Sequence, residues 1–310
     1  MDSINLVLAS DNNYAQHVAV VVASILCNTK EKVNVHLLSD GISKERLDLI
    51  RDTVKELGST LSVYDMASND CFDNLFTSGH ISKATYFRLD IANILPNNVK
   101  KIIYMDVDLL VLQDIVKLWK VDMQGKPLAA VPDYGIMASK RLMKQKNEVI
   151  SLPTGSLYFN AGVVIMDLEQ WRAYDYAKQV IELAAAGNLP HHDQDALNKV
   201  FMGNWQALPL KWNVIPPVFN LFTKVLINGN LRKNAIAARK DKAILHYAGR
   251  YKPWEFELHK GFNDAYYLYL QKTKFANEKM PQPGRNMKGK SITRQMARLK
   301  IADLWQWLLE

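Results

Sequence analysis

The chain has 310 residues, 48% apolar and 23% charged, so it can close a sizeable core and is not generally disordered. Its net charge of +8 would suit nucleic acid if it were spread over the chain, but six Lys/Arg against two acidic residues fall between Gly284 and Glu310. That concentration in an amphipathic tail argues against nucleic-acid binding. Two cysteines, Cys27 and Cys71, are too few for a disulfide framework and too far apart for zinc-ligand spacing.

In chain order, Ile4 to Ala9 is an apolar run that stops at Ser10-Asp11-Asn12-Asn13. It predicts a buried strand running into a polar loop, then a helix from about Tyr14 to Leu26. The first apolar run is too short for a secretory signal core, and Val18 to Cys27 is about half of a membrane span, so a cytoplasmic protein is expected. Val33 to Ser39 predicts a second strand. Ser43 predicts an N-cap for a helix carrying Leu47, Ile50 and Val54 on one face, and Leu61 to Met66 predicts a third strand. This alternation gives a parallel sheet covered on both faces, with ligands beyond the carboxyl ends of its strands. Asp11 and Asn13 then stand where a nucleotide would bind, although Asp or Asn in such a loop also serves as a helix cap.

Thr85 to Asn93 has helical spacing and ends at the turn Leu95 to Asn98. Ile102 to Met105 is a strand that runs into Asp106-Val107-Asp108. Strand alternation puts the two carboxylates on one side and Val107 on the other. Two hard oxygen ligands at a strand end suit a divalent cation bound to phosphates, as transfer from a nucleotide sugar requires. Asp-x-Asp alone occurs in many loops; its place after a buried strand makes it informative. Segments 128–131 and 158–167 continue the sheet with less regular connections, so the sheet is expected to be mixed. A helix over about 169–186 should close at Gly187-Asn188.

Residues 277–291, with Pro281, Pro283, Gly284 and Gly289, read as a linker, which leaves 1–276 as the main domain and 277–310 as linker and tail. In the tail, Ile301, Leu304, Trp305 and Leu308 share a helical face, and Ile292, Met296 and Leu299 make a second stripe. Basic residues interleaved with Trp and Leu suit an anionic membrane surface; packing on the domain itself or on a partner is the alternative.

Six stretches occur in order: LASDNNY near the start, YFRLD at 86–90, IIYMDVDLLV at 102–111, FNAGVVIMDLEQW at 159–171, DQDALN at 193–198 and HYAGRYKPW at 246–254. Together they resemble glycosyltransferase family 8, with the bacterial lipooligosaccharide and lipopolysaccharide α-1,4-galactosyltransferases nearest in pattern. The resemblance implies a GT-A fold, a Rossmann-like α/β domain with a mixed, mainly parallel sheet, followed here by a helical basic tail. It implies a retaining enzyme that moves galactose from UDP-galactose to a glycan or glycolipid acceptor, peripheral on the inner face of the plasma membrane. A UDP-glucose-dependent enzyme is the nearest alternative. A self-glycosylating primer using Tyr266, Tyr267 or Tyr269 is a more distant one, and a phosphohydrolase is disfavoured because Leu109-Leu110-Val111 follows the aspartates.

Residue by residue, the resemblance implies that Asp11 holds the uracil edge and Asn13 the uridine, with the Ala9 backbone against the base. Asp106, Asp108 and His246 would bind Mn2+, with Mg2+ as the alternative. Val107, Arg88, Asn160 and Ala161 would complete the donor pocket, with Gly249 and Lys252 beside the diphosphate. Asp193 would grip hexose hydroxyls and Gln194 would face the anomeric carbon, as the catalytic pair. An amide is a poor nucleophile where retaining glycosidases place a carboxylate, which favours front-side transfer. His80 and Asp133 match acceptor-binding positions, while Pro209 to Phe222 and His191-His192 depart from the pattern and leave the acceptor open.

Overall fold

The computed structural model describes residues 3–73, 75, 82–219, 229–249, 252–255 and 262–277. His80 and the expected tail helices lie outside the described residues. Among the described residues nine strands run in order: β1 (Ile4–Asp11), β2 (Val33–Asp40), β3 (Thr60–Asp65), β4 (Lys101–Met105), β5 (Leu109–Val111), β6 (Leu128–Pro132), β7 (Phe159–Asp167), β8 (Gln206–Ala207) and β9 (Ile244–His246). The helices are α1 (Ala15–Asn28), α2 (Lys44–Glu56), α3 (Ile91–Ile94), α4 (Val116–Trp119), α5 (Tyr134–Met137), α6 (Lys140–Ile150), α7 (Leu168–Ala173), α8 (Tyr176–Ala185), α9 (His192–Val200), α10 (Gly229–Lys240) and α11 (Phe262–Leu270).

The main sheet has the order β3-β2-β1-β4-β7-β6-β8. Strands β1 to β4 are mutually parallel where they pair, and β6 pairs parallel with β8. Only β7 runs against its neighbours, β4 and β6. The mixed, mainly parallel sheet expected from the sequence is therefore present, and it is the Rossmann-like GT-A arrangement. Period-two alternation explains why central strands are apolar on both sides. Leu6 and Leu8 of β1, Ile103 and Met105 of β4, and Val163 and Ile165 of β7 enter one core. Val7 and Ala9, Ile102 and Tyr104, and Val164 and Met166 enter the other.

Three local expectations are corrected. The helical stretch from Thr85 is a 3-10 helix over Lys83–Leu89, followed after Asp90 by the short α3. The tighter winding carries Arg88 inward, where it is buried. The long helix expected over 169–186 is two, because Asp175 takes a left-handed conformation with φ of 50°. On one side of that break, Trp171 donates to the Pro127 carbonyl, and Arg172 donates to the carbonyls of Ala92, Leu95, Pro96 and Val99. On the other side, α8 buries Ala177 and Val180. Two anchors of different direction do not fit one straight helix. Its end falls as expected, with Gly187 and Asn188 both at positive φ. Finally, Asp106 to Asp108 lie in a bend between β4 and β5, not within one strand, so chain reversal and not strand alternation brings the carboxylates together.

That bend is what builds the site. β5 leaves the main sheet and pairs antiparallel with β9, which sets Leu109 opposite His246. The Tyr247 amide donates to the Asp108 carbonyl at 2.8 Å, and the Asp106 amide donates to the Gly162 carbonyl at 2.9 Å. Three segments more than 50 residues apart in sequence thereby meet at the carboxyl ends of β1 and β4.

Candidate active site

A cleft of about 800 Å³ opens there. Of the residues singled out from sequence, it is lined by Ala9, Asp11, Asn13, Arg88, Asp106, Val107, Asp108, Asn160, Ala161, Asp193, Gln194, His246, Gly249 and Lys252. At the nucleotide end, the Asp11 carboxylate accepts from the amides of Asn13 and Tyr14 at 2.9 and 3.1 Å. Asp11 is thus the helix cap and a wall of the cleft at once.

Asp106, Asp108 and His246 each offer a ligand atom, and these atoms lie within 4.8 Å of one another. Nε2 of His246 is 3.0 Å from Asp108 Oδ1 and 3.7 Å from Asp106 Oδ2. The tautomer follows from a chain of hydrogen bonds. The Gly162 amide donates to Asn160 Oδ1 and Asn160 Nδ2 donates to Asp133, which fixes the Asn160 amide. Asn213 Nδ2 therefore donates to Asn160 Oδ1 at 2.8 Å, and Asn213 Oδ1 accepts from Nδ1 of His246 at 2.8 Å. With the proton held on Nδ1, a metal ion would meet the lone pair of Nε2, the usual support for a ligating imidazole. Gly162 makes room for this. A Cβ there would fall 2.4 Å from His246 Cε1 and 2.6 Å from Asp106 Oδ2. Two carboxylates and one oriented imidazole around a side-chain-free position fit a divalent cation.

Arg88 lies 2.9 Å from Asp106 Oδ1 and 3.1 Å from Asp193 Oδ2, joining the two acidic motifs. It also donates to the Thr85 and Ala161 carbonyls and stacks over Tyr104 at 4.6 Å. Asp90, two residues on, instead accepts from Asn93 at 2.6 Å. Lys252 caps Asp108 and donates to the Tyr247 carbonyl at 3.0 Å. Burial pushes the Asp108 carboxyl up, but Lys252 and His246 outweigh it and hold the group well below the usual range. Asp193 goes the other way: burial, offset in part by Arg88, pushes it up to about 6.

The Lys252 loop is pinned from behind. Trp254 stacks on the buried His17 with centroids 3.7 Å apart, and Nδ1 of His17 lies 2.6 Å from the Tyr266 hydroxyl. Burial and then Lys252 push His17 down to about 3, so it stays neutral. Gly249, at φ of 94°, occupies backbone space that L side chains rarely enter.

Gln194 lines the cleft from the first turn of α9. Its Oε1 accepts from the Ala161 amide at 3.0 Å, and its Nε2 donates to Asp133 at 3.1 Å and to the Tyr158 hydroxyl at 3.3 Å. Asp133 is buried beneath Gln194 and Asn160 and also caps α5 through the Ile136 amide. Asn213, Tyr158 and Lys146 were not singled out from sequence. Each sits in a segment with no motif of its own, and only tertiary pairing brings it under the cleft.

The family model for glycosyl transferase family 8 matches residues 5–257. The chain is 31% identical over 280 residues to general stress protein A of Bacillus subtilis, covering 88% of this chain and 94% of that one. It is 26% identical over 258 residues to the lipopolysaccharide 1,2-glucosyltransferase of Escherichia coli, covering 82% and 74%. Among solved structures, the galactosyltransferase LgtC in complex with donor and acceptor sugar analogues superposes with a TM-score of 0.75 at 22% identity, over 94% of this chain and all of that one, a likeness of fold. With its motifs, its fold and a match across the main domain, the chain belongs to glycosyl transferase family 8 and is a glycosyltransferase.

Proposed function

We propose that the protein is a metal-dependent, retaining hexosyltransferase that moves galactose from UDP-galactose to a lipooligosaccharide- or lipopolysaccharide-type acceptor. The observation that carries this reading is the convergence of Asp106, Asp108 and the oriented His246 within 4.8 Å of one another, in the cleft that Asp193 and Gln194 also line. A galactosyltransferase of the same fold and a glucosyltransferase relative leave UDP-glucose as the alternative donor.

In this reading Asp11, Asn13 and the Ala9 backbone hold the uridine, and Arg88, Asn160, Ala161 and Asp193 hold the hexose. Asp106, Asp108 and His246 would hold a Mn2+ or Mg2+ ion, which would supply positive charge to the departing diphosphate. Lys252 adds its ammonium to the same oxygens, exchanging Asp108 for phosphate as its partner. Gln194 carries no charge and no good nucleophile. It lines the face opposite the leaving group while the acceptor hydroxyl attacks on the leaving-group side and passes its proton to the departing phosphate oxygen. Asp133 and His80 belong to the acceptor side. The Asp133 carboxylate already accepts from Ile136, Asn160 and Gln194, so its main contribution is to hold those two side chains in place.

The primer reading would need an accessible tyrosine, and of its three candidates on α11 Tyr267 alone is half-buried. Tyr266 and Tyr269 are buried, and their hydroxyls bond His17 and Asn28. For the tail the proposal rests on sequence: its interleaved basic and apolar residues would place the enzyme on the inner face of the membrane. No described helix is long and apolar enough to cross one. Deleting residues 285–310 should weaken binding to anionic vesicles while leaving transfer to a soluble acceptor intact. Loss of folding would instead mean that the tail packs on the domain.

Asp106→Ala and Asp108→Ala test the core of the proposal. Each should abolish Mn2+-dependent turnover of UDP-hexose in a protein that still folds. Near-normal turnover in either variant would remove the metal assignment.

A further inference from the structure

Lys146 is fully buried on α6, 49 residues before its partner Asp195 in the Asp-Gln-Asp cluster. A lysine at zero exposure needs an account of its three N–H donors. Two go to Asp195, at 2.6 Å from Oδ1 and 2.8 Å from Oδ2, and one goes to Nδ1 of His191 at 2.6 Å. Asp195 is also at zero side-chain exposure. Besides Lys146 it accepts from the His191 amide at 2.8 Å and from the Tyr158 hydroxyl at 2.7 Å. The pair is fully satisfied and has no route to water, so it is a fixed point in the fold.

The direction of the Tyr158 hydroxyl follows. A carboxylate only accepts, so Tyr158 donates to Asp195 and turns its lone pairs toward Gln194. Burial, with Asp195 beside it, holds the phenol well above its ordinary range, so the proton stays in place. Gln194 then has one arrangement. Its NH2 group faces two acceptors, Tyr158 and Asp133, and its carbonyl oxygen receives the Ala161 amide. A flipped amide would set its oxygen against the Asp133 carboxylate and its NH2 against the Ala161 N–H, so three bonds fix one orientation.

We propose that Tyr158 is a positioning residue for Gln194, and that the buried Lys146–Asp195 pair fixes Tyr158, so that the Gln194 amide presents its remaining carbonyl lone pair to the hexose pocket. The proposal deepens the transferase reading and rests on it for the meaning of the pocket. The hydrogen-bond chain itself can be tested without a substrate.

Tyr158→Phe removes one hydroxyl and keeps the buried ring; Lys146→Met removes the charge that fixes it. Two measurements are made on the full chain. In protein labelled with 15N-glutamine, with the Gln194 signals assigned by their loss in Gln194→Glu, the Gln194 NH2 resonances should shift or broaden in Tyr158→Phe. With UDP-galactose or UDP-glucose and Mn2+, kcat should fall about tenfold, the effect of one lost hydrogen bond at the reacting centre, while UDP affinity stays within about twofold. Tyr158→Phe decides the matter if Lys146→Met does not fold. Unchanged Gln194 resonances would overturn the proposal, and so would shifted resonances with wild-type kcat. A wild type that turned over no UDP-hexose would end the transferase reading, while the resonance test of the chain would still stand.

Discussion

Gly162 and Asp193 show how single residues set the chemistry. At Gly162 the argument is steric: a methyl group would overlap the imidazole of His246 and a carboxylate oxygen of Asp106. Gly162→Ala should therefore lower Mn2+ affinity at least tenfold and destabilise the protein by about 1–3 kcal/mol, the usual range for overpacking a tight site. Titration followed by Mn2+ paramagnetic resonance reads the first, and denaturant unfolding reads the second. Wild-type Mn2+ affinity would mean that the cluster is not a metal site. At Asp193 the argument is electrostatic. Its folded-state value of about 6 exceeds the free carboxyl value of 3.8, so the folded protein holds a proton that the unfolded chain has lost. Stability from this group is present below about pH 4 and is lost as pH rises through about 6, on the order of 3 kcal/mol. Across that window wild-type stability should fall relative to Asp193→Asn. Parallel pH curves for the two proteins would contradict the assignment. The Asp-x-Asp pair was visible because it follows an apolar strand, and Asp193-Gln194-Asp195 because it matches a stretch of the family pattern. The sequence could not show that Arg88 bridges them, since nothing local distinguishes Asp90 from Asp106 as its partner.

Among the elements, the N-terminal repeats were legible because one signal, apolar runs separated by capped helices, suffices for strands that pair with their neighbours. Ser43 does accept from the Arg46 amide, as a capping serine should. Beyond Pro132 the signal weakens. β9 has three residues, and α6 lies in a polar stretch whose one fully buried position, Lys146, reads as solvent-facing. Long-range pairing, not propensity, decides these parts. α6 ends at Ser151 in the left-handed region, φ of 58°, a position where glycine is favoured. Ser151→Gly should raise stability by roughly 0.5–1 kcal/mol with turnover unchanged, because the residue lies outside the cleft. A loss of stability by denaturant unfolding would show that the side chain holds something at that turn.

On the scale of the whole molecule, the design is a parallel sheet whose strand ends present the site, closed by a late segment. β9 returns beside β5 and delivers His246. The following loop brings Lys252 to Asp108 and stacks Trp254 on His17 of α1. First and last parts of the domain thereby both contribute to the Asp106, Asp108 and His246 cluster and to the Lys252 ammonium beside it. The motif HYAGRYKPW could be recognised in the sequence, but its distance from the aspartates could not, because more than a hundred residues intervene.

The central claim is that this cleft takes a UDP-hexose and a divalent cation together. Donor hydrolysis and transfer by the full chain should be measured with UDP-galactose, UDP-glucose and UDP-N-acetylglucosamine in parallel, with Mn2+, and with lactose as trial acceptor. The account predicts turnover of UDP-galactose above the other two, abolished by a chelator and restored by added Mn2+; a preference for UDP-glucose would change the sugar and keep the mechanism. No metal-dependent binding or turnover with any UDP-sugar would contradict it.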